Sequence, residues 1–236
     1  MKKDAINYVV ATIKDWNIEQ FHLQTKNLPG NWHLFTTPES LTIQNLTALA
    51  PKYIFFPHWS WLVPEEILSV FDCICFHMTD VPYGRGGSPL QNLILRGHKD
   101  TKITALKMEK SLDTGPVYLK IPLALNGSAQ EIFANCSKHI FDMIRFITEL
   151  EPTPISQTGN ITEFKRRTPA QSAIPETITL PKAYDFIRML DADTYPKAFI
   201  NHGDISITFS NAMMTSDNEL VAQAKIIIRE SDNNEK

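Results

Sequence analysis

Apolar residues along this chain follow two alternating patterns. The runs Tyr8-Val9-Val10-Ala11-Thr12-Ile13, Tyr53-Ile54-Phe55-Phe56 and Cys73-Ile74-Cys75-Phe76 are short, unbroken and rich in β-branched and aromatic side chains. That is the signature of buried strands. Helical stretches stand between and after them. Pro64 to Phe71 opens with proline and acids, which suit a helix N-terminus. Ser88 to Gly97 has Ser88 as N-cap, Pro89 in the first turn and Gly97 as a stop. Ile103 to Leu106 and Pro116 to Ile121 read as strands flanking a turn at Asp113-Thr114-Gly115. From Ser128 to Leu150, Ile132, Phe133, Cys136, Ile140, Met143, Ile144 and Ile147 recur at helical spacing, with Ser128 and Glu131 placed for a capping box.

Strands alternating with helices predict an α/β fold, a Rossmann-like, mostly parallel sheet with helices on both faces. Ligands of such sheets bind beyond the carboxyl ends of the strands, where His77 stands. No Gly-x-Gly-x-x-Gly follows the first strand, so the pattern does not bring a dinucleotide site with it. After Leu150 the composition changes, with Pro152, Pro154, Gln157 and Gly159 marking a linker. A short helix is expected over Lys182 to Leu190, then strands over Ile205 to Phe209 and Leu220 to Ile228. The chain thus reads as a catalytic domain over residues 1–150, a linker and connector helix over 151–204, and a small C-terminal β-strand element over 205–236. These last parts form the helix and β-strand appendage of the fold class. The tail after Glu230 is polar and expected to fray.

Composition narrows the partners. With 236 residues and 43% hydrophobic content the chain can bury a core, and its formal net charge of −3 lacks the footprint of a general nucleic-acid binder. The N-terminus has no signal-peptide core and no apolar run is long enough for a bilayer, which predicts a cytoplasmic protein. Cys73, Cys75 and Cys136 show no zinc-like spacing, so a reducing compartment and no metal are expected.

The candidate chemistry is concentrated between Cys75 and Gly115. A lone imidazole at a strand end, His77, and a carboxylate on a tight turn, Asp113, are what acyl transfer to an amine needs: proton relay and stabilisation of a developing oxyanion. The string Phe76-His77-Met78-Thr79-Asp80-Val81-Pro82-Tyr83-Gly84-Arg85-Gly86-Gly87-Ser88-Pro89, followed by Asp113-Thr114-Gly115, resembles the 10-formyltetrahydrofolate-dependent formyltransferase family. That family reads Asn-x-His-x-Ser-x-x-Pro, Arg-Gly-x-x-Pro and Asp-x-Gly. His77, Thr79, Pro82, Arg85, Gly86, Pro89, Asp113 and Gly115 fall on the pattern, whereas Cys75 stands where the family has asparagine.

The resemblance implies a methionyl-tRNA formyltransferase-like fold and the sugar N-formyltransferases as the nearer branch, within a pseudaminic-type amino-sugar pathway of polysaccharide biosynthesis. It implies formyl transfer from 10-formyltetrahydrofolate to the amine of a nucleotide-linked amino sugar, with no nucleic acid or membrane partner. His77 and Asp113 would be the acid/base pair. Cys75 would occupy the catalytic asparagine's place with a weaker donor, a change that also suits a non-catalytic folate binder. His58, Trp59, Ser60, Trp61, Leu62 and Gly115 would line the cofactor pocket. Thr79, Arg85, Gly86, Gly87 and Ser88 would meet substrate, with Lys102 and Lys107 as further anion contacts. A tRNA substrate is the alternative, set aside for want of a basic C-terminal domain. The C-terminal strands offer edges for a homodimer.

Overall fold

The structure, a computed structural model, describes residues 5–229, so the predicted frayed tail lies outside the described residues. The chain divides into two compact units. One runs through Pro89 and continues with Thr101–Leu123 and Phe133–Phe164; the other takes Leu90–Asp100, Ala124–Ile132 and the chain from Lys165 onward.

In chain order the elements are β1 (Asn7–Ala11), α1 (Asp15–Gln24), β2 (Asn31–Phe35), α2 (Ile43–Leu49), β3 (Tyr53–Phe56), α3 (Glu65–Val70), β4 (Cys73–His77) and β5 (Tyr83–Gly86). These are followed by α4 (Pro89–Leu95), β6 (Asp100–Lys107), β7 (Val117–Ala124), α5 (Ala129–Leu150), β8 (Thr162–Phe164), α6 (Leu180–Arg188), β9 (Ala198–His202), β10 (Ile205–Ser216) and β11 (Glu219–Ile228).

The first unit is built on a six-stranded sheet of order β2-β1-β3-β4-β6-β7. Its β2, β1, β3 and β4 strands pair in parallel, while β6 runs antiparallel to β4, opposing Thr104 to His77. The predicted α/β class with a mostly parallel sheet and flanking helices is the observed one. Side chains alternate along each strand, so Val9, Ala11, Ile54, Phe56 and Cys73 share one face, where they form a core with Leu46 of α2 and Ile67 of α3. The opposite face carries an aromatic row: Tyr8 stacks on Trp32 at 4.7 Å, and Phe55 lies between Trp32 and Phe76. On α1, Trp16 stacks on Phe133 of α5 at 5.4 Å.

The first-unit strands outside this sheet were not foreseen. β5 and β8 form a separate parallel pair joining Tyr83–Gly86 to Thr162–Phe164, segments for which the sequence pattern predicts no strand. β2 was also missed, since His33 interrupts its apolar pattern; the imidazole is met by Asn7 Oδ1 at 3.2 Å.

The second unit carries α6 and the antiparallel sheet β11-β10-β9, with long β10 and β11 joined by a tight turn. α6 begins near the expected helix and buries Arg188, whose Nη1 donates to the carbonyls of Leu125 and Gly127 and whose Nε pairs with Asp185 at 2.7 Å. β11 is an edge strand with Ile226, Ile227 and Ile228 exposed. Among the described residues no helix is long and apolar enough to cross a membrane.

Candidate active site

His77 is the last residue of β4, where the core strand reaches the carboxyl edge of the parallel half of the sheet. Its Nε2 lies 2.8 Å from the carbonyl oxygen of Gly84 on β5. A carbonyl only accepts, so Nε2 carries a hydrogen. The other ring nitrogen, Nδ1, faces Asp113 Oδ2 across 3.5 Å, with the two side chains only 9% and 14% exposed. The same carboxylate oxygen accepts the backbone N–H of Gly86 at 2.9 Å. The strand β5 therefore braces both halves of the pair.

Asp113 is held in the left-handed region at φ +55°, a conformation that costs a non-glycine residue energy and persists only where neighbours impose it. Gly115 supplies part of the constraint: a Cβ there would lie 1.8 Å from the carbonyl oxygen of Lys107, so only glycine lets the turn approach β6 this closely. At Gly86, with φ +100°, a Cβ would lie 2.5 Å from the carbonyl of Phe164. The glycines assigned to cofactor and substrate in sequence thus have demonstrable backbone duties.

Cys75 shares the β4 face of His77 and Cys73 and packs against the apolar core cluster. Burial first, and then the negative charge of Asp113, push its thiol well above the usual range. At neutral pH it is a protonated thiol, a weak donor rather than a nucleophile.

The loop after β3 splits into two kinds of residue. His58, at φ +52°, turns its ring inward: Nδ1 lies 3.0 Å from Asn17 Nδ2, the Trp16 indole N–H approaches the same atom at 3.4 Å, and Phe133 meets the ring edge-on. Trp59 packs edge-to-face with Phe56 and Trp61. Ser60 is exposed, as are Trp61 at 46% and Leu62 at 80%. Buried polar atoms are normally paired. Here the Trp59 indole N–H, His58 Nε2 and Asn17 Oδ1 are buried without a hydrogen-bond partner among the described residues. The exposed Trp61 ring offers a face on which a flat heterocycle such as a pterin could stack, whereas the unpaired atoms are sealed from solvent.

Other predicted contacts are engaged internally. Thr79 is fully buried and its hydroxyl donates to Gly84 O at 3.2 Å, so it shapes β5 rather than the pocket surface. Gly87 N donates to Phe164 O at 2.9 Å, and Ser88 sits at φ +50° just before α4. The expected free cations are taken: Arg85 bonds Gln157, Lys102 pairs with Asp80 at 2.9 Å, and Lys107 pairs with Asp72 at 2.7 Å. Burial would raise the Asp80 carboxyl, but the ammonium groups of Lys102 and Lys120 outweigh it and hold the group below the usual range. Gln157, Gly84 and Phe164 joined the site only in three dimensions, for Gln157 had signalled only a linker. Among the described residues no group of three or more His, Cys, Asp or Glu is placed to hold a metal ion.

Comparison with known proteins supplies the lineage. A solved structure of methionyl-tRNA formyltransferase from Clostridium thermocellum is 45% identical over 94% of this chain and 99% of that one, with a TM-score of 0.91. The chain belongs to the formyltransferase family. Residues 169–227 match the family model of the methionyl-tRNA formyltransferase C-terminal domain. The methionyl-tRNA formyltransferase of Campylobacter fetus subsp. fetus is 31% identical over 125 residues, which are 50% of this chain and 40% of that protein. The chain thus aligns with less than half the length of that curated relative.

These findings correct the nearer branch. A sugar N-formyltransferase from Shewanella sp. has the same fold, with a TM-score of 0.64 over 98% of this chain, but is 13% identical. The amino-sugar, nucleotide-sugar and polysaccharide expectations fall, and with them the exclusion of nucleic acid, because the far closer relative is named for a tRNA substrate. The reason given for setting tRNA aside also fails. Residues 169–227, which include the short C-terminal strands, match the model of the tRNA enzyme's C-terminal domain, and this chain covers 99% of the C. thermocellum chain.

Proposed function

We propose that this protein formylates the α-amino group of methionyl-tRNA, using 10-formyltetrahydrofolate as donor. The observation that carries the reading is 45% identity across nearly the whole of a methionyl-tRNA formyltransferase, joined to a shielded His77–Asp113 pair at a sheet edge.

The donor would be held by the loop Trp59 to Leu62, and when bound it supplies a formyl group whose oxygen gains charge as the amine adds. The chain's own groups handle the protons. Asp113, with one oxygen fixed by Gly86 N–H, takes a proton from the incoming amine as its bond to the formyl carbon forms, and His77 Nδ1 shares it across the 3.5 Å gap. The proton passes to the folate nitrogen as the bond from that nitrogen to the formyl carbon breaks and tetrahydrofolate leaves. Gly84 O fixes the ring so that its protonated form stays aimed at the carboxylate. Cys75, on the same β4 face as His77, would offer at most a weak S–H donor. No step calls on a metal ligand set.

Formylation of charged initiator tRNA with 10-formyltetrahydrofolate is expected for the wild type. His77→Ala and Asp113→Asn should each lower kcat/KM at least a hundredfold, about the worth of a general acid/base, with unfolding midpoints near wild type. Folate binding with no turnover on methionyl-tRNA would instead identify a non-catalytic member and overturn the proposal.

A further inference from the structure

Gln157 lies in the extended stretch after α5, where Ile155 and Val117 exchange backbone hydrogen bonds at 2.8 Å in an antiparallel bridge. Two residues on from Ile155 and two back from Val117, that register sets Gln157 opposite Gly115. From there its side-chain amide makes four hydrogen bonds. Oε1 accepts from Arg85 Nε at 3.1 Å and Nη2 at 2.8 Å, while Nε2 donates to the carbonyls of Asp113 and Gly115, both at 2.8 Å. An amide has two donor hydrogens and two acceptor lone pairs, so all its capacity is used and its orientation is fixed by its partners.

These bonds close a circuit around the acid/base pair. Arg85 lies between Gly84, whose carbonyl holds His77, and Gly86, whose N–H holds Asp113. The Asp113 turn, strained at φ +55°, is gripped through its own carbonyl and that of Gly115. We infer that Gln157 is a positioning residue that sets the separation of His77 and Asp113 by tying the Asp113 turn to Arg85 of β5. No other side chain suits the place. Glutamate would set a carboxylate against two carbonyls, and asparagine is one methylene short. Gln157 itself touches neither member's reacting atoms and acts through Asp113.

The inference rests on the proposed formyl transfer for its kinetic consequence but has a readout of its own. In Gln157→Ala, hydrogen exchange at the Gly86 amide, which donates to the Asp113 carboxylate, should quicken at least about tenfold while the β3 and β4 amides keep their protection. In formylation assays the same variant should lose about ten- to a hundredfold in kcat, the scale of a small misplacement, with KM for both substrates within about threefold. Added to Asp113→Asn it should cost no more than about twofold further, because both changes disable one unit. If Gln157→Ala fails to fold, the isosteric Gln157→Glu takes the same measurements. An unchanged Gly86 exchange rate overturns the inference whatever the activity, and so does a kcat within twofold of wild type or a loss additive with Asp113→Asn. Absence of wild-type turnover would defeat the functional reading alone, leaving the exchange measurement to decide the role of Gln157.

Discussion

At the scale of single residues, the site is made by groups whose neighbours leave them few options. Cys75 is the clearest departure from the family pattern, and its environment explains why a thiol is tolerated: it packs on the core cluster, and burial together with Asp113 keeps it protonated. If the position carries an oxyanion donor, Cys75→Asn should leave kcat equal or raise it in the formylation assay. A tenfold fall would show that the pocket has been rebuilt around the smaller side chain. His58 makes a different prediction. Burial first, then the charge of Lys14, lower its pKa from 6.5 to about 4, and its unpaired Nε2 is sealed from solvent. Because the folded pKa is depressed, its stabilising contribution is complete above pH 6.5 and is lost as pH falls toward 4, where the unfolded chain binds more protons. The loss is at most about 3 kcal/mol. Urea unfolding between pH 7 and 4.5 should show that slope, and His58→Gln should flatten it.

Among the elements, the fit between local signals and structure is best where a side chain closes a bond within its own segment. Ser128 and Glu131 are an example: Glu131 Oε2 accepts from Ser128 N at 2.8 Å and from its hydroxyl at 2.9 Å, while Ser128 Oγ accepts from Glu131 N at 3.3 Å. This box starts the 22-residue α5. Ser128→Ala is expected to cost about 1 kcal/mol, read as a thermal midpoint about 2–4 °C lower. β5 and β8 had no such local signal. Tyr83-Gly84-Arg85-Gly86 has two glycines, which disfavour strand, and it becomes one only because Phe164 lies alongside. That non-local pairing is what carries Gly84 and Gly86 to His77 and Asp113.

For the whole molecule, the formal charge of −3 bears on how the proposed tRNA substrate is met. Many phosphate contacts would need a basic surface, and a binder with six to ten of them loses on the order of a thousandfold or more in affinity between 50 and 200 mM salt. Here KM for methionyl-tRNA should rise less than about tenfold over that range. A steeper dependence would reveal a concentrated basic surface that net charge conceals. The charge argument was sound against general nucleic-acid binding but did not exclude one specific RNA end, which is why it misled the choice between sugar and tRNA. What distinguished those branches was identity spread over 94% of the chain, information that no single motif holds.

The sequence by itself determined the parts governed by neighbours in the chain: the apolar strands β1, β3 and β4, the capped helix α5, and the placing of His77 at a strand end and Asp113 on a glycine turn. Periodicity and capping act over a few residues and can be read there. Only the tertiary structure decided that His77 and Asp113 face each other, that His58 and Thr79 turn inward, that Arg85 is occupied, and that Gln157, read as part of a linker, grips the Asp113 turn. Each of those outcomes depends on a hydrogen-bond partner supplied by a distant segment, whose position is fixed by packing the sheet as a whole.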